Sequence, residues 1–327
     1  MKHFKWIALG LALIITPIMT PPAQAQDYPS RVVTMIVPFS AGGPADALAR
    51  VLAQSMTDNL KQQVIVENAT GAGGTLGAAR VARAAPDGYT ILFHHIGMAT
   101  SPALYRKLPY DTATAFEPIG LITDVPMILV GGHDFPVNTF AELLTYVREK
   151  QDEVTYAHAG VGSSSHLCGL LFMRAMEAQM TTVPYKGTGP AMTDLLGGQV
   201  DLLCDHVSTA VPQVKSGKIK PYVVTTKERV PSLPDVPTAD EAGLKGFELG
   251  VWYGLYAPKG TEKPFIDKLV AVLQRSLQDP QVIQRFADLG TAPVAIERAT
   301  PKALQEHLLA EIARWQPVIK AAGVYAE

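Results

Sequence analysis

One unit recurs in this chain and restricts what it can become: a β-branched run, a loop of small residues, then an Ala- or Leu-rich segment. Its first copy is VVTMIVPFSAGGPADALAR, Val32 to Arg50. Val32 to Val37 reads as a buried strand, and Pro38, which cannot donate to a ladder, ends it. Ser40-Ala41-Gly42-Gly43 follow, and Ala45 to Met56 carries helical spacing. The second copy runs from Val154 to Ala157 through His158-Ala159-Gly160-Val161-Gly162-Ser163-Ser164-Ser165-His166 into an apolar helix, Leu167 to Met176. Strand and helix patterns alternate throughout, which argues for an α/β fold with mostly parallel sheets.

The unit also suggests chemistry. Loop glycines let backbone N–H groups approach a ligand, and a helix N-terminus adds roughly half a positive charge, so such a loop can grip a carboxylate. No Gly-Lys-Ser/Thr follows the glycines, and G-x-G-x-x-G does not fit, so phosphate and dinucleotide signatures are absent. Asp46 lies in the first helical turn, where a carboxylate suits the macrodipole and satisfies loop N–H groups. The competing reading is an ordinary strand-to-helix turn with a capping acid. Duplication favours the anion site, because two such loops can face each other across a cleft.

Met-Lys-His-Phe-Lys, the apolar run Trp6 to Ile15 and Ala23-x-Ala25 have the form of a secretory signal, with the mature chain beginning near Gln26. The run is short for a bilayer span, and no Cys marks a lipoprotein site. About 300 residues remain, room for one large domain or two smaller ones. Loss of Lys2 and Lys5 moves the formal net charge from −2 to −4. Basic clusters are missing, so nucleic acid is not an expected partner. The two cysteines, Cys168 and Cys204, fall in a predicted helix and at the end of a predicted strand. An exported protein permits a bridge between them, and two buried free thiols are the alternative.

Further strands are expected at Gln63 to Glu67, Tyr89 to Phe93, Thr182 to Tyr185, Gln199 to Asp205, Ile219 to Thr225 and Val251 to Pro258. Phe116 to Val130 is a long apolar stretch broken by Asp124 and Pro126, suited to a crossing between two lobes. Further helices are expected at Leu76 to Ala84, within Phe135 to Lys150, and at Ala191 to Leu196, Val211 to Ser216, Lys263 to Leu277 and Pro301 to Ala322. Arg229 to Thr238 reads as a Pro-rich connector outside the core.

VPFSAGGPADALAR, GAGGTLGAARVARAAPDGYTIL, GVGSSSHL, VPYKGTGPAMTDLLGGQVDL, LPDVPTADEAG and WYGLYAPKGT occur in this order. Together they resemble the Bug/TctC family, the periplasmic solute-binding proteins of tripartite tricarboxylate transporters, over nearly all of the mature chain. The resemblance implies a type II periplasmic-binding-protein fold, two lobes joined by crossing hinge strands. The expected division is a signal at 1–25, a first lobe at 26–125 plus 227–327, and a second at 126–226. It implies a periplasmic receptor for a small carboxylate, such as citrate, dicarboxylic amino acids, nicotinate, adipate or aromatic diacids, serving membrane permease subunits. Carried over, the first binding loop is Phe39, Ser40, Ala41, Gly42, Gly43 and Asp46. The second is Gly160, Gly162, Ser163, Ser164, Ser165 and His166. The chain departs from the commonest family pattern at His94-His95-Ile96-Gly97, where small hydroxyl or amide residues are frequent.

His94, His95, His158, His166 and His206 all fall at or after predicted strand ends, where open α/β sheets place ligands. His95 and His166 are taken as ligand contacts, and the others as packing or hydrogen-bonding residues. No HExxH or short ligand spacing supports a metal. Trp252 and Tyr253 can wall the cleft or pack the hinge. Asp205 can accept from a ligand amine or hydroxyl, or cap a loop, and Lys186 can meet a second carboxylate or face solvent. Ser163 to Ser165 with His166 and Asp205 imitate a hydrolase triad, but G-x-S-x-G is missing. We therefore expect a monomeric binding protein, not an enzyme, without cofactor or metal. A sensor subunit for a membrane kinase and a secreted hydrolase are the alternatives, and an aromatic or medium-length dicarboxylate is the favoured ligand.

Overall fold

The structure, a computed structural model, describes residues 28–323 and 325; the predicted signal sequence and its cleavage site lie outside the described residues. Among the described residues no helix is long and apolar enough to cross a membrane. The first half alternates as expected: β1 (Val33–Val37), α1 (Pro44–Leu60), β2 (Val64–Asn68), α2 (Thr75–Ala82) and β3 (Thr90–His95). A buried helix, α3 (Gly97–Leu104), and a 17-residue strand, β4 (Phe116–Gly132), follow. The second half is α4 (Phe140–Lys150), β5 (Thr155–His158), α5 (Ser164–Met176), β6 (Thr181–Pro184), α6 (Thr188–Leu196), β7 (Leu202–His206), α7 (Val207–Lys215) and β8 (Ile219–Val224). The chain then returns through β9 (Gly250–Pro258) and closes with α8 (Lys263–Leu277), α9 (Pro280–Asp288) and α10 (Pro301–Ala322).

Nine strands form one sheet, eight of them in the order β2-β1-β3-β9-β4-β7-β5-β6, with β8 off this path and paired to β4. β1 is parallel to β2 and β3, and β5 is parallel to β6 and β7. β9 and β4 run antiparallel to their neighbours, so the sheet is mixed, not mostly parallel. A returning strand explains the difference. Parallel neighbours need crossover helices, and β9 comes back directly into the gap between β3 and β4.

β4 shows how the two sheet sections join. Up to Pro126 it pairs with β9, and from Met127 onward it pairs with β7 and β8. Pro126, with no N–H, sits where the ladder changes partners and asks least of a donor. Asp124 points outward and is held by Arg298.

The elements pack into one continuous apolar core that spans both sections. Cys168 of α5 and Cys204 of β7 are joined in a disulfide, with Cα atoms 6.2 Å apart. The bridge therefore clamps a helix to the strand beneath it. Two helices lie outside the expected set. α3, GMATSPAL, has no polar face to mark it, and it is buried against α10. α9 begins at Asp279, whose carboxylate accepts the Gln281 N–H at 2.9 Å. The 229–238 connector has no regular structure yet buries Val230, Leu233 and Val236, so it contributes to the core.

Candidate functional site

Where the two sheet sections meet, strand ends and helix starts converge on a small cavity of about 20 Å³. Phe39, Gly43, Pro44, Ala45 and His95 line it from the first section; Ala159, Ser164, Thr188 and His206 line it from the second. That space holds about one water molecule. A small organic acid enters only if the walls separate.

The walls are built from helix N-termini. Gly43 is the N-cap of α1, Ser164 is the first residue of α5, Thr188 is the first residue of α6, and His206 is the N-cap of α7. Each end presents unpaired N–H groups and roughly half a positive charge. None of the lining residues is a lysine or arginine. The cavity therefore attracts anions through main-chain dipoles and not through a charged side chain.

The histidines supply neutral donors. A backbone N–H occupies Nδ1 of His95 (from Gly97, 2.9 Å), of His158 (from Gly160, 3.1 Å) and of His166 (from Gly162, 3.3 Å). In the neutral ring the proton then sits on Nε2, which becomes a donor. Burial lowers His158 to about 4 and His166 to about 3, and holds His95 well below its ordinary value. His206 is lowered to about 3 by burial, with Nε2 2.9 Å from Ser164 Oγ and Nδ1 3.0 Å from Tyr253 Oη. Phe39 stacks on the His95 ring, with centroids 4.5 Å apart.

The two sections touch around this cavity. The Ser40 N–H donates to the Lys186 carbonyl at 3.2 Å, and the Tyr105 hydroxyl donates to the Val161 carbonyl at 2.6 Å. Thr100 Oγ1 donates to the Gly162 carbonyl at 3.3 Å.

Of the residues expected at the site, Phe39, Gly43, His95 and Ser164 line the cavity. Tyr253 and Asp205 stand one bond behind it, the first on His206 Nδ1 and the second on the His206 N–H at 2.8 Å. Ser163 caps α5 by accepting the His166 N–H, and Ser165 Oγ accepts the Ala159 N–H at 2.8 Å, so both shape the loop from inside. Gly160, Gly162 and His166 belong to the seam and its support. Ser40 is on the seam, while Ala41 and Gly42 are exposed. Lys186 is exposed.

Asp46 does not reach the cavity. Its carboxylate accepts the Gly42 N–H at 3.0 Å, Arg50 at 2.9 Å and Asn68 at 2.9 Å. Burial works against its charge, but those partners outweigh it and hold its pKa below the usual value. It is the capping acid of the competing reading. Trp252 also faces away: its Nε1 donates to Glu311 at 3.4 Å and its ring packs edge-on to His307 of α10. Adjacent residues of a strand point to opposite faces, so Trp252 and Tyr253 cannot both wall one cleft.

Pro44, Ala45, Ala159, Thr188 and His206 are lining residues outside the expected set. Thr188 was accessible in principle, since Lys186-Gly187-Thr188-Gly189-Pro190 is a third small-residue loop between a strand and a helix. Among the described residues, no group of three or more His, Cys, Asp or Glu is arranged to hold a metal ion.

Comparison with known proteins agrees with this geometry. Residues 48–324 match the family described as the tripartite tricarboxylate transporter family receptor. The chain is 52% identical over 320 residues to the UPF0065 protein in the TAR-I ttuE-ttuC' intergenic region of Agrobacterium vitis, covering 98% of this chain and 92% of that protein. Its structure superposes on the periplasmic binding protein BugD with a TM-score of 0.90 at 50% identity, covering 92% of this chain and 100% of that one. It superposes on MatC of Rhodopseudomonas palustris with bound malate with a TM-score of 0.87 at 44% identity, covering 89% and 100% respectively.

Proposed function

The chain belongs to the tripartite tricarboxylate transporter receptor family, the Bug/TctC solute-binding proteins, and from that premise we propose that it captures a small carboxylate in the cavity and delivers it to a membrane permease. The family is one of periplasmic binding receptors, not enzymes. Export of this chain, by cleavage of residues 1–25 near Ala25, is part of the proposal. So is the division into lobes, 26–125 plus 227–327 and 126–226, with β4 and β9 as the crossing strands.

One observation carries the reading: four helix N-termini meet at an enclosed, uncharged cavity on the seam between two sheet sections. Fixed dipoles replace the water around an anion without reorganising, and bridging waters extend them to ligands of different shape. Phe39, Gly43, His95, Ser164, Thr188 and His206 are the proposed contacts. A ligand held by both lobes stabilises the closed form by as much as it prefers that form to the open one. The closed form is then what the permease meets.

The malate of the MatC structure supports a carboxylate as the ligand class. A thermal-shift and calorimetric screen of malate, adipate, citrate, aromatic acids, amino acids and amides tests this. Tight binding of carboxylates, weakened but not turned towards cations in Ser164→Ala and His206→Ala together, is the expected result. Tight binding confined to neutral or cationic compounds overturns it.

A further inference from the structure

A buried carboxylate beside a cavity suited to anions is an electrostatic conflict, and Asp205 creates one. It lies in β7 immediately before His206 and is 1% exposed. It accepts the His206 N–H at 2.8 Å on Oδ1 and the Thr209 hydroxyl at 2.6 Å on Oδ2. Thr188, on the cavity wall, stands near enough to favour its charged form. Tyr253 from β9, His95 from β3, Tyr156 from β5, Ser164 from α5 and Thr209 from α7 face this corner. β4 opposes it with Met127 and Ile128. None of these is a lysine or arginine, so no cation offsets the charge.

We propose that the cavity takes up its carboxylate together with one proton, and that Asp205 holds that proton. This rests on the carboxylate reading above and adds the charge state in which the ligand is accepted. With Asp205 ionised, its uncompensated charge repels an arriving anion. Once Oδ2 is protonated, the Thr209 hydroxyl has a second acceptor ready, the His206 carbonyl at 3.2 Å. One proton thus removes a like charge from beside the cavity. Burial, opposed chiefly by the Thr209 and His206 bonds, already pushes Asp205 up to about 6. An arriving anion pushes it higher. His206, lowered to about 3, starts too far down to compete near neutrality.

The test is calorimetry of the mature protein with malate and adipate in buffers of different ionisation heat. Near neutral pH both acids are fully ionised, so protons taken up must go to the protein. Uptake of roughly half to one proton is expected at about pH 7.5, with affinity strengthening close to tenfold per unit as pH falls towards about 6. Asp205→Asn should abolish the uptake and the pH dependence, and bind about tenfold tighter at about pH 7.5. Binding without proton uptake in the unaltered protein overturns the inference and leaves the carboxylate reading standing. Failure of every carboxylate to bind at any pH overturns both. If Asp205→Asn does not fold, the buffer comparison on the unaltered protein decides alone.

Discussion

Gly73→Ala tests whether the cavity closes by docking the 71–74 loop on the 160–162 loop. Gly73 has φ +60°, and a Cβ there would lie 1.9 Å from the Val161 carbonyl oxygen and 2.9 Å from Tyr105 Oη. The obstacle is backbone, so the seam must open by about 1 Å or more at this point. That movement breaks the Tyr105–Val161 hydrogen bond at 2.6 Å and loosens the Ser40–Lys186 bond at 3.2 Å. At about 1 kcal/mol per bond, with the lost packing, the closed form is weakened by about 2–3 kcal/mol. Ligand affinity then falls about 30- to 150-fold. Alanine in a left-handed conformation also costs about 1 kcal/mol, but in open and closed forms alike, so that term lowers stability and not affinity. Gly198→Ala isolates it, because φ there is +67° and nothing lies within 4 Å. Calorimetric affinity for a carboxylate found in the screen, with small-angle scattering to follow closure, compares the two variants. Affinity in Gly73→Ala within twofold of Gly198→Ala refutes the docking argument.

Other outcomes follow from the same contacts. Removing the Cys168–Cys204 bridge, which spans 36 residues, should destabilise by up to roughly 4 kcal/mol in a chain-entropy account, read as a lower Tm by calorimetry. Asp46→Ala leaves the Gly42 N–H, Arg50 and Asn68 without their acceptor and should cost about 2–3 kcal/mol in a urea melt. Because the folded pKa of Asp46 is depressed, its contribution is present above the unfolded value of 3.8 and is lost as pH falls through the folded one. His94 and His158 near 4, and His166 and His206 near 3, bind protons less readily folded than unfolded. Stability should therefore fall as pH drops below 6.5 towards about 4, with more than one proton taken up on unfolding; circular dichroism against pH measures it. Asp205 works in the opposite sense, losing stability as pH rises from 3.8 to about 6 and so partly offsetting the histidines; its Asn variant should lose stability more steeply as pH falls across that span.

Much of the fold was legible because local rules agreed with it. Val32 to Val37 ends at Pro38, and the strand ends at Val37. The break at Asp124 and Pro126 marked where β4 changes partners. Strand direction was not legible, since nothing in VWYGLYAP states that β9 returns antiparallel between β3 and β4. α3 was hidden because a largely buried helix of small residues, GMATSPAL, carries no periodic signal. Of the residues that line the cavity, loop chemistry pointed to Gly43 and Ser164, and a place at a strand end pointed to His95. Asp46 and Trp252 misled for physical reasons: a first-turn acid satisfies its own loop, and neighbours on a strand face opposite ways. His206 and Thr188 required knowledge of which strand ends come together in space.

The anion grip resides in peptide groups, which every residue type shares. A single substitution at Phe39, His95 or Thr188 can reshape the pocket without erasing its pull on negative charge. Taste for a particular acid and taste for acids in general are thus separable properties. Libraries randomised at these side chains should yield receptors that exchange one organic acid for another, and not receptors for cations.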